Sequence, residues 1–483
     1  MGRAAQMDVL VGVDLGTTAC KVTVVDGDMG IHSVSSAPYA ISAPHRGWAE
    51  QDPAAWGTTV DATVLQALAE VGVTDGDQVT ISLTGQMHST VLLDEAGEPL
   101  RPSILWCDRR ATAESALVDE RVPDVEAITG NPPLPAFTLP HLLWVREHEP
   151  EVFARAATVL VPKDFLRHRW TGRTMTDWTD ASGTGMLDAT TRAWSTTILD
   201  ALGLDPALLP PVVDPVSDGG DVLTAPGRAL AGAHTAVGVG DQFAEALSAG
   251  LTRPGDLSIT LGTSAVVLGI ADRPVPGAFC HAQSDTWMRL DSLHAGGKSL
   301  EWLRDMMSPG ESVAAFAELA GTAPVGSHDL LFLPFLMGER VARGGGAPGA
   351  FVGLTTEHTR GDLVRAVLEG VAFELRRLQE SRGTTLPEDV ITLKGGGARS
   401  ALWCRTISAV FGIPYRTTDR DAAYGAAMTA GISRRWWPDW QSVPGLHGTG
   451  DDSALVDAPL LDERYRAYSA MVAGLSARTE ETR

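Results

Sequence analysis

The stretches "VGVDLGTTACKVTVVD" (11–26) and "LSITLGTSAVVLGI" (257–270) share one pattern. Each holds an apolar, β-branched run, then Leu-Gly-Thr-Thr or Leu-Gly-Thr-Ser, then a second apolar run. That is the signature of two strands joined at a glycine turn. Gly16 and Gly262 are separated by about half of the 483 residues, and self-similarity at that distance implies two similar lobes, each opening on a Gly-Thr hairpin. Two unrelated hairpins with an ordinary turn would show the same letters, because Gly and Thr are common there. The duplication shifts the weight toward a shared function. Glycine lets the backbone approach an oxygen closely, and N–H groups and Thr hydroxyls donate to it. Two such bends can clamp one polyphosphate, with Thr17, Thr18 and Thr263 facing phosphates and Asp14 facing a metal ion.

A third glycine cluster lies in "DVITLKGGGARSALWCRTISAVFGIPY" (389–415). It reads as strand, Gly-rich turn and amphipathic helix. Ser400 is placed to cap the helix, and Leu402, Ile407 and Val410 give it an apolar face. A strand leading through glycines to a helix N-terminus suits a nucleotide, or it is simply a tight connection. Two other nucleotide motifs are missing. No GxGxxG follows a strand, which argues against a dinucleotide dehydrogenase. "HAGGKSLEW" (294–302) resembles the end of a GxxxxGK[ST] loop, but Ser292 stands where the first glycine is required.

Length implies two or more domains. The Pro-, Asp- and Gly-rich "DPALLPPVVDPVSDGGDVL" (205–223) marks the division, placing the domains at 1–236 and 237–483. Just beyond it, "AVGVGDQFAEALSAGL" (236–251) reads as a strand turning into a helix at Asp241. An aspartate there is either a helix cap or a chemical group. A net charge of -22 opposes nonspecific nucleic-acid binding, yet backbone N–H groups can still bind an anion locally. No apolar run approaches the roughly 18 residues a spanning helix needs, and "MGRAAQMDVLVGVD" shows no leader. The expectation is a cytoplasmic protein with no nucleic-acid or membrane partner. Cys20, Cys107, Cys280 and Cys404 are far apart, with no CxxC, so neither a zinc site nor a disulfide framework is expected. Lysine is scarce: Lys21, Lys163, Lys298 and Lys394 are set among 38 basic residues. Three of the four lie in "VPKD", "GGKS" and "LKGGG", which compositional bias alone can explain.

Together these motifs resemble the FGGY carbohydrate kinases of the actin-like ATPase superfamily, over nearly the whole chain. The first phosphate motif of that family is similar to "VDLGTTACK", the second to "LSITLGTSAVV" and the adenosine motif to "LKGGGARSALW". "GAFVGLTTEHTRGDLVRAVLEG" resembles its C-terminal signature, and "LPFLMGER" and "AGGKSLEWLRDMM" are also typical. Within the family, "LTGQMHSTVLLDEAGEPLRPSILW", the stretch 129–172 and "DASGTGMLD" resemble the xylulokinase subgroup. Glycerol kinases usually carry Arg-Glu where Met87-His88 stands. The chain departs from the subgroup at Ser89 (usually Gly), Cys107 (usually Asn) and Gln242 (usually Asn). It also lacks Thr-Pro-His after Gly338-Glu339-Arg340.

The resemblance implies an α/β fold of two actin-like, ribonuclease-H-like lobes with ATP and sugar in an interdomain cleft. It implies ATP and Mg²⁺ as cofactors and a small-molecule sugar as partner, with a homodimer left open. The implied reaction is phosphorylation of D-xylulose to D-xylulose 5-phosphate. Another ketose or a polyol is the alternative acceptor, and an actin- or Hsp70-like ATPase without kinase activity is the alternative class. Asp241 is implied as the general base and Asp14 as the Mg²⁺ residue. Thr17, Thr18 and Thr263 are implied at the phosphates, with Gly297, Gly397 and Ala398 lining the nucleotide. Met87, His88, Trp106 and Asp108 are implied at the sugar. His88 and Trp106 also suit a buried core.

Overall fold

Strands β1 (Asp8–Leu15) and β2 (Ala19–Val25) pair antiparallel with Leu15 opposite Cys20, leaving Gly16, Thr17 and Thr18 as the bend that the motif predicts. The structure, a computed structural model, describes residues 7–74, 77–224, 227–337, 348–381, 389–448 and 450–481. The run from Gly338, where the subgroup's Thr-Pro-His is missing, lies outside the described residues. Strand β3 (Ile31–Pro38) extends the meander beside β2. Helix α1 (Pro53–Val71) then leads to β4 (Gln78–Gly85), which lies parallel to β1 on its other side. A parallel neighbour requires such a crossover. Two further helices, α2 (Pro162–Thr171) and the short α3 (Trp178–Ser182), precede β5 (Asp218–Asp221) and β6 (His234–Ala236). The sheet order is β5-β6-β4-β1-β2-β3. Helix α4 (Asp241–Ser248) follows directly.

The chain divides into two compact units. The first holds the described residues up to Thr252, with Asp272–Met288 and Arg420–His447. The second holds Arg253–Ala271, Arg289–Asp419 and the described residues from Gly448 onward. The core of the first unit joins Val9, Val11 and Val13 of β1 to Val22 and Val24 of β2 and to Trp56, Val60 and Val64 of α1. A central strand buried to this degree reads as a nearly continuous apolar run, which is why the opening sequence looks as it does.

The second unit repeats the arrangement. Strand β7 (Leu257–Leu261) pairs antiparallel with β8 (Ala265–Ala271) around a Gly262–Ser264 bend. Helix α5 (Gly296–Met307) follows, then α6 (Arg360–Glu380), which begins with a capping box between Thr359 and Asp362. Strand β9 (Ile391–Lys394) lies parallel to β7, as β4 does to β1. Helix α7 (Ala401–Phe411) leads to β10 (Tyr415–Thr417), parallel to β9. Both units are thus α/β, each with an antiparallel hairpin beside a parallel strand, as the duplicated motif implies.

The last helix of this set, α8 (Ala422–Ser433), belongs to the first unit. It packs on β1 so closely that a Cβ added at Gly12 would lie 1.7 Å from the Ala423 carbonyl oxygen. Its small residues and Gly12 therefore bring α8 against the strand that carries Asp14. Among the described residues no helix is long and apolar enough to cross a membrane.

Candidate active site

In the first unit β1, β4 and β6 run parallel, so the bends that follow them share one sheet edge. They are Gly16–Thr18, Gln86–Ser89 and Val237–Gly240. Ligands of open α/β sheets sit at such carboxyl ends. The first bend is fastened by its carbonyls. The Tyr39 hydroxyl donates to that of Gly16, the Tyr39 N–H to that of Thr18 at 3.1 Å, and Gln51 Nε2 to that of Thr17 at 2.8 Å. Thr17 Oγ1 accepts from Trp106 Nε1 at 2.9 Å.

Asp14 lies one residue before the end of β1, opposite Lys21. Its Oδ1 is buried without a hydrogen-bond partner. Burial, and then the charges of Asp241, Asp421 and Glu245, push its pKa up to about 8, opposed by Lys21. Lys21 in turn pairs with Asp421 at 2.8 Å, and Asp421 caps α8 through the Tyr424 N–H. An orphaned carboxylate oxygen among like charges is where a cation is stabilising. Among the described residues no group of three or more His, Cys, Asp or Glu side chains is arranged to hold a metal alone. The orphaned oxygen suits Mg²⁺, which takes one or two carboxylates and completes its shell with water and phosphate.

Asp241 is the first residue of α4. The N-cap position belongs to Gly240, with no side-chain cap bond. Asp241 Oδ1 accepts the Gln242 N–H at 2.8 Å, and the Met87 N–H also donates to the carboxylate. Burial outweighs these bonds and raises the pKa to about 7. A carboxylate poised near neutrality is suited to accept a proton.

Met87 and His88 follow β4 and are both largely enclosed. His88 has φ +67°, uncommon for a non-glycine residue and often found at functional sites. Its Nδ1 bonds the Gly183 carbonyl, which only accepts, so Nδ1 carries the proton. Burial lowers its pKa to about 4, so the ring is neutral at pH 7 and its Nε2 is an acceptor. Phe137 and Phe279 flank the ring at 4.8 and 6.0 Å between centroids. A Cβ at Gly183 would meet His88 Cε1 and Met87 Cε at 2.7 Å, so the glycine permits this approach.

Trp106 is 44% exposed, not core. Its backbone N–H donates to Ser89 Oγ at 3.1 Å; the serine thus supplies an acceptor that a glycine there would lack. Cys107 is exposed beside it. Asp108 is buried, and its oxygens accept from the Ala49 N–H at 2.6 Å and from Arg110 N, Nε and Nη2 at 2.7, 3.0 and 2.8 Å. A carboxylate accepts about four such bonds, so Asp108 holds the loop that carries Trp106.

In the second unit the bends after β7 and β9 also share one edge. Gly297 N–H donates to the Gly262 carbonyl and Lys298 N–H to that of Thr263, both at 2.9 Å. A Cβ at Gly297 would lie 2.5 Å from Gly262 O, so α5 begins directly on the second bend. Ala398 N–H returns to Gly395 O at 3.1 Å. Gly397 abuts Leu261 and Trp403. Ser400 Oγ accepts from the Trp403 N–H at 3.3 Å and caps α7 as its sequence predicts. Gly297 therefore lies against Thr263, and Gly397 against the end of β7, although they are far apart in sequence. The second hairpin carries Thr260 where the first carries Asp14, so only the first bend has an acid.

A buried ionic group lies behind Asp241, and motif reading did not find it. Lys163 is fully buried, with Nζ 2.7 Å from Asp164, 2.8 Å from Asp177 and 3.3 Å from Asp180. Arg167, also buried, pairs with Asp164 at 2.7 Å. The signal available was the lysine in "VPKD", one of only four in the chain.

Residues 9–247 match the family model "FGGY family of carbohydrate kinases, N-terminal domain", and residues 257–434 match its C-terminal counterpart. The xylulose kinase of Escherichia coli (strain K12) is 35% identical over 472 residues, covering 95% of this chain and 96% of that protein. The xylulose kinase of Bacillus subtilis (strain 168) is 32% identical over 447 residues, 89% of each chain. The solved xylulose kinase from Rhodospirillum rubrum superposes with a TM-score of 0.88 at 29% identity, covering 98% of this chain and 100% of that one.

Proposed function

The chain belongs to the FGGY family of carbohydrate kinases, and from that premise we propose that it transfers the γ-phosphoryl group of ATP to the 5-hydroxyl of D-xylulose. The observation that carries this reading is the constellation at the edge of the first sheet. A carboxylate raised to about 7 stands beside Met87, and an orphaned acid sits at the Gly-Thr bend. Relatives at this level of identity along nearly the whole chain are named xylulose kinases.

In the proposed reaction Met87 and His88 meet the sugar, with His88 Nε2 accepting from a sugar hydroxyl and Trp106 covering it. Asp241 takes the proton of the attacking hydroxyl as the new O–P bond forms and the bond to ADP breaks. Thr17, Thr18 and Thr263 donate to the phosphates, and Gly297, Gly397 and Ala398 line the nucleotide. Asp14 would hold Mg²⁺, directly or through water, and the ion would supply charge neutralisation on the phosphoryl oxygens. The protein's own contribution is orientation and a proton acceptor, because phosphoryl transfer needs positioning more than covalent chemistry.

ADP release measured over a panel of ketoses and polyols tests the assignment. D-xylulose is expected to give the highest turnover. If D-xylulose gives no more ADP than buffer while another acceptor does, the substrate is that acceptor and only the family holds. Asp14→Asn is expected to raise the Mg²⁺ concentration needed for half-maximal activity, with partial recovery at high Mg²⁺. An unchanged Mg²⁺ titration would remove Asp14 from the ion's shell.

A further inference from the structure

Every backbone N–H of the turn that delivers Asp241 to the site has a partner, and one of these partners is a side chain. Val237 N–H donates to Ser217 O at 3.1 Å, Gly238 N–H to Pro215 O at 3.0 Å, and Val239 N–H to Leu83 O at 3.3 Å. Gly240 N–H donates instead to a side chain, Thr179 Oγ1, at 3.0 Å. The Thr179 hydroxyl passes its own proton toward Asp177 Oδ2, and Asp177 Oδ1 faces Lys163 Nζ at 2.8 Å. At the other end of the turn, Arg167 Nη1 donates to the Val237 carbonyl at 2.8 Å. One buried ionic group thus grips the turn at both ends.

We propose that Thr179, backed by Asp177 and Lys163, is a positioning residue for the reaction, setting where the Asp241 carboxylate stands. This rests on the reading of Asp241 as the proton acceptor. The argument is geometric. Gly240 immediately precedes Asp241, and a glycine N-cap has no side chain to anchor itself. Gly240 also lies against Met87: a Cβ added there would be 2.8 Å from Met87 Cγ and 3.3 Å from Asp180 Oδ1. Met87 donates its N–H to the Asp241 carboxylate, so a shift of Gly240 would disturb both the base and its neighbour at the sugar. The Thr179 hydroxyl has no freedom to choose another orientation. Asp177 can only accept, so the hydroxyl proton points there and its lone pair points to Gly240. Asp177 also accepts the Thr179 N–H at 2.7 Å, capping α3, so it orients the threonine's backbone as well. A misplacement of about 1 Å at a reacting group can cost roughly 10²-fold in rate.

The test is steady-state kinetics on Thr179→Val, Thr179→Ser and Asp241→Asn, with D-xylulose and Mg-ATP and a melting curve for each. Thr179→Val keeps the shape and removes the acceptor. Its kcat is expected to fall about 10- to 100-fold, with both KM values changed less than threefold and a near-normal melting curve; Thr179→Ser is expected to recover most of the rate. A folded Thr179→Val with kcat within twofold of the parent overturns the proposal, as does a loss confined to KM. If Thr179→Val does not fold, Thr179→Ala carries the same test. Asp241→Asn separates the two levels. Normal kcat in that variant overturns the base assignment and this proposal with it. Loss in Asp241→Asn beside normal turnover in Thr179→Val overturns the positioning role alone.

Discussion

Replacing Asp241 with asparagine is expected to lower kcat by roughly 10²–10⁴-fold, the usual cost of losing a general base. The KM values for ATP and sugar should change little, because the loss falls on the transition state. Asparagine preserves the size of the side chain and can still accept from the Gln242 N–H. It would serve equally well as a helix cap. A capping role therefore predicts normal turnover, and the structure already places the cap on Gly240. Raised Mg²⁺ should not rescue Asp241→Asn, in contrast to Asp14→Asn. The pH profile gives a second reading. Asp241 must be ionised to accept a proton, and burial holds its pKa at about 7, with the carboxyl groups of Asp14, Glu245 and Asp180 in its surroundings. The rate constant kcat/KM should therefore fall as pH drops through about 7, and Asp241→Asn should lose that limb. Near-normal kcat in a folded Asp241→Asn would remove this residue from the mechanism.

Lys163→Met should produce the largest loss of stability. The lysine is fully buried among Asp164, Asp177 and Asp180. Removing it strands buried carboxylates, which typically costs about 3–5 kcal/mol. For a unit of this size that is a fall of on the order of 10 °C in Tm. The charge count predicts a contrast within the same group. Lys163 and Arg167 balance two carboxylates, and Asp164 is held below its ordinary range by both cations, burial notwithstanding. The third acid, Asp180, is pushed well up by burial and by Asp177 and Asp164, opposed by Lys163. Asp180→Asn removes the acid in excess of the two cations, and Tm should move by only a few degrees. The sign of the pH effect follows. A proton held by folded Asp180 but released by the unfolded chain favours folding below about pH 4, and that contribution is lost as pH rises toward the folded value. Asp180→Asn should flatten this part of the stability profile. Equal damage from Asp180→Asn and Lys163→Met, measured by thermal melting at pH 7, would mean that Asp180 is not the acid in excess.

The sequence by itself determined the two hairpins, the Gly-rich turn before α7 and its Ser400 cap. Each depends on local rules: β-branched alternation, a glycine bend, and a hydroxyl that accepts an early helical N–H. Its duplicated motif also announced two similar lobes. What motif reading could not show is which distant residues become neighbours. Asp421 stands some four hundred residues from Asp14, and only the close approach of α8 to Gly12 brings its charge to β1. Asp241 looked as much like a helix cap as a base, and the burial that raises its pKa and the Met87 N–H on its carboxylate, both tertiary, favour the base. The resemblance placed Asp108 at the sugar, and only packing shows its oxygens accepting from Ala49 and Arg110. The grip of Lys163, Asp177 and Thr179 on the Gly240 turn was invisible for the same reason. Hydrogen bonds and ion pairs between residues distant in sequence leave no local periodicity, and their strength comes from burial, which only the assembled fold supplies.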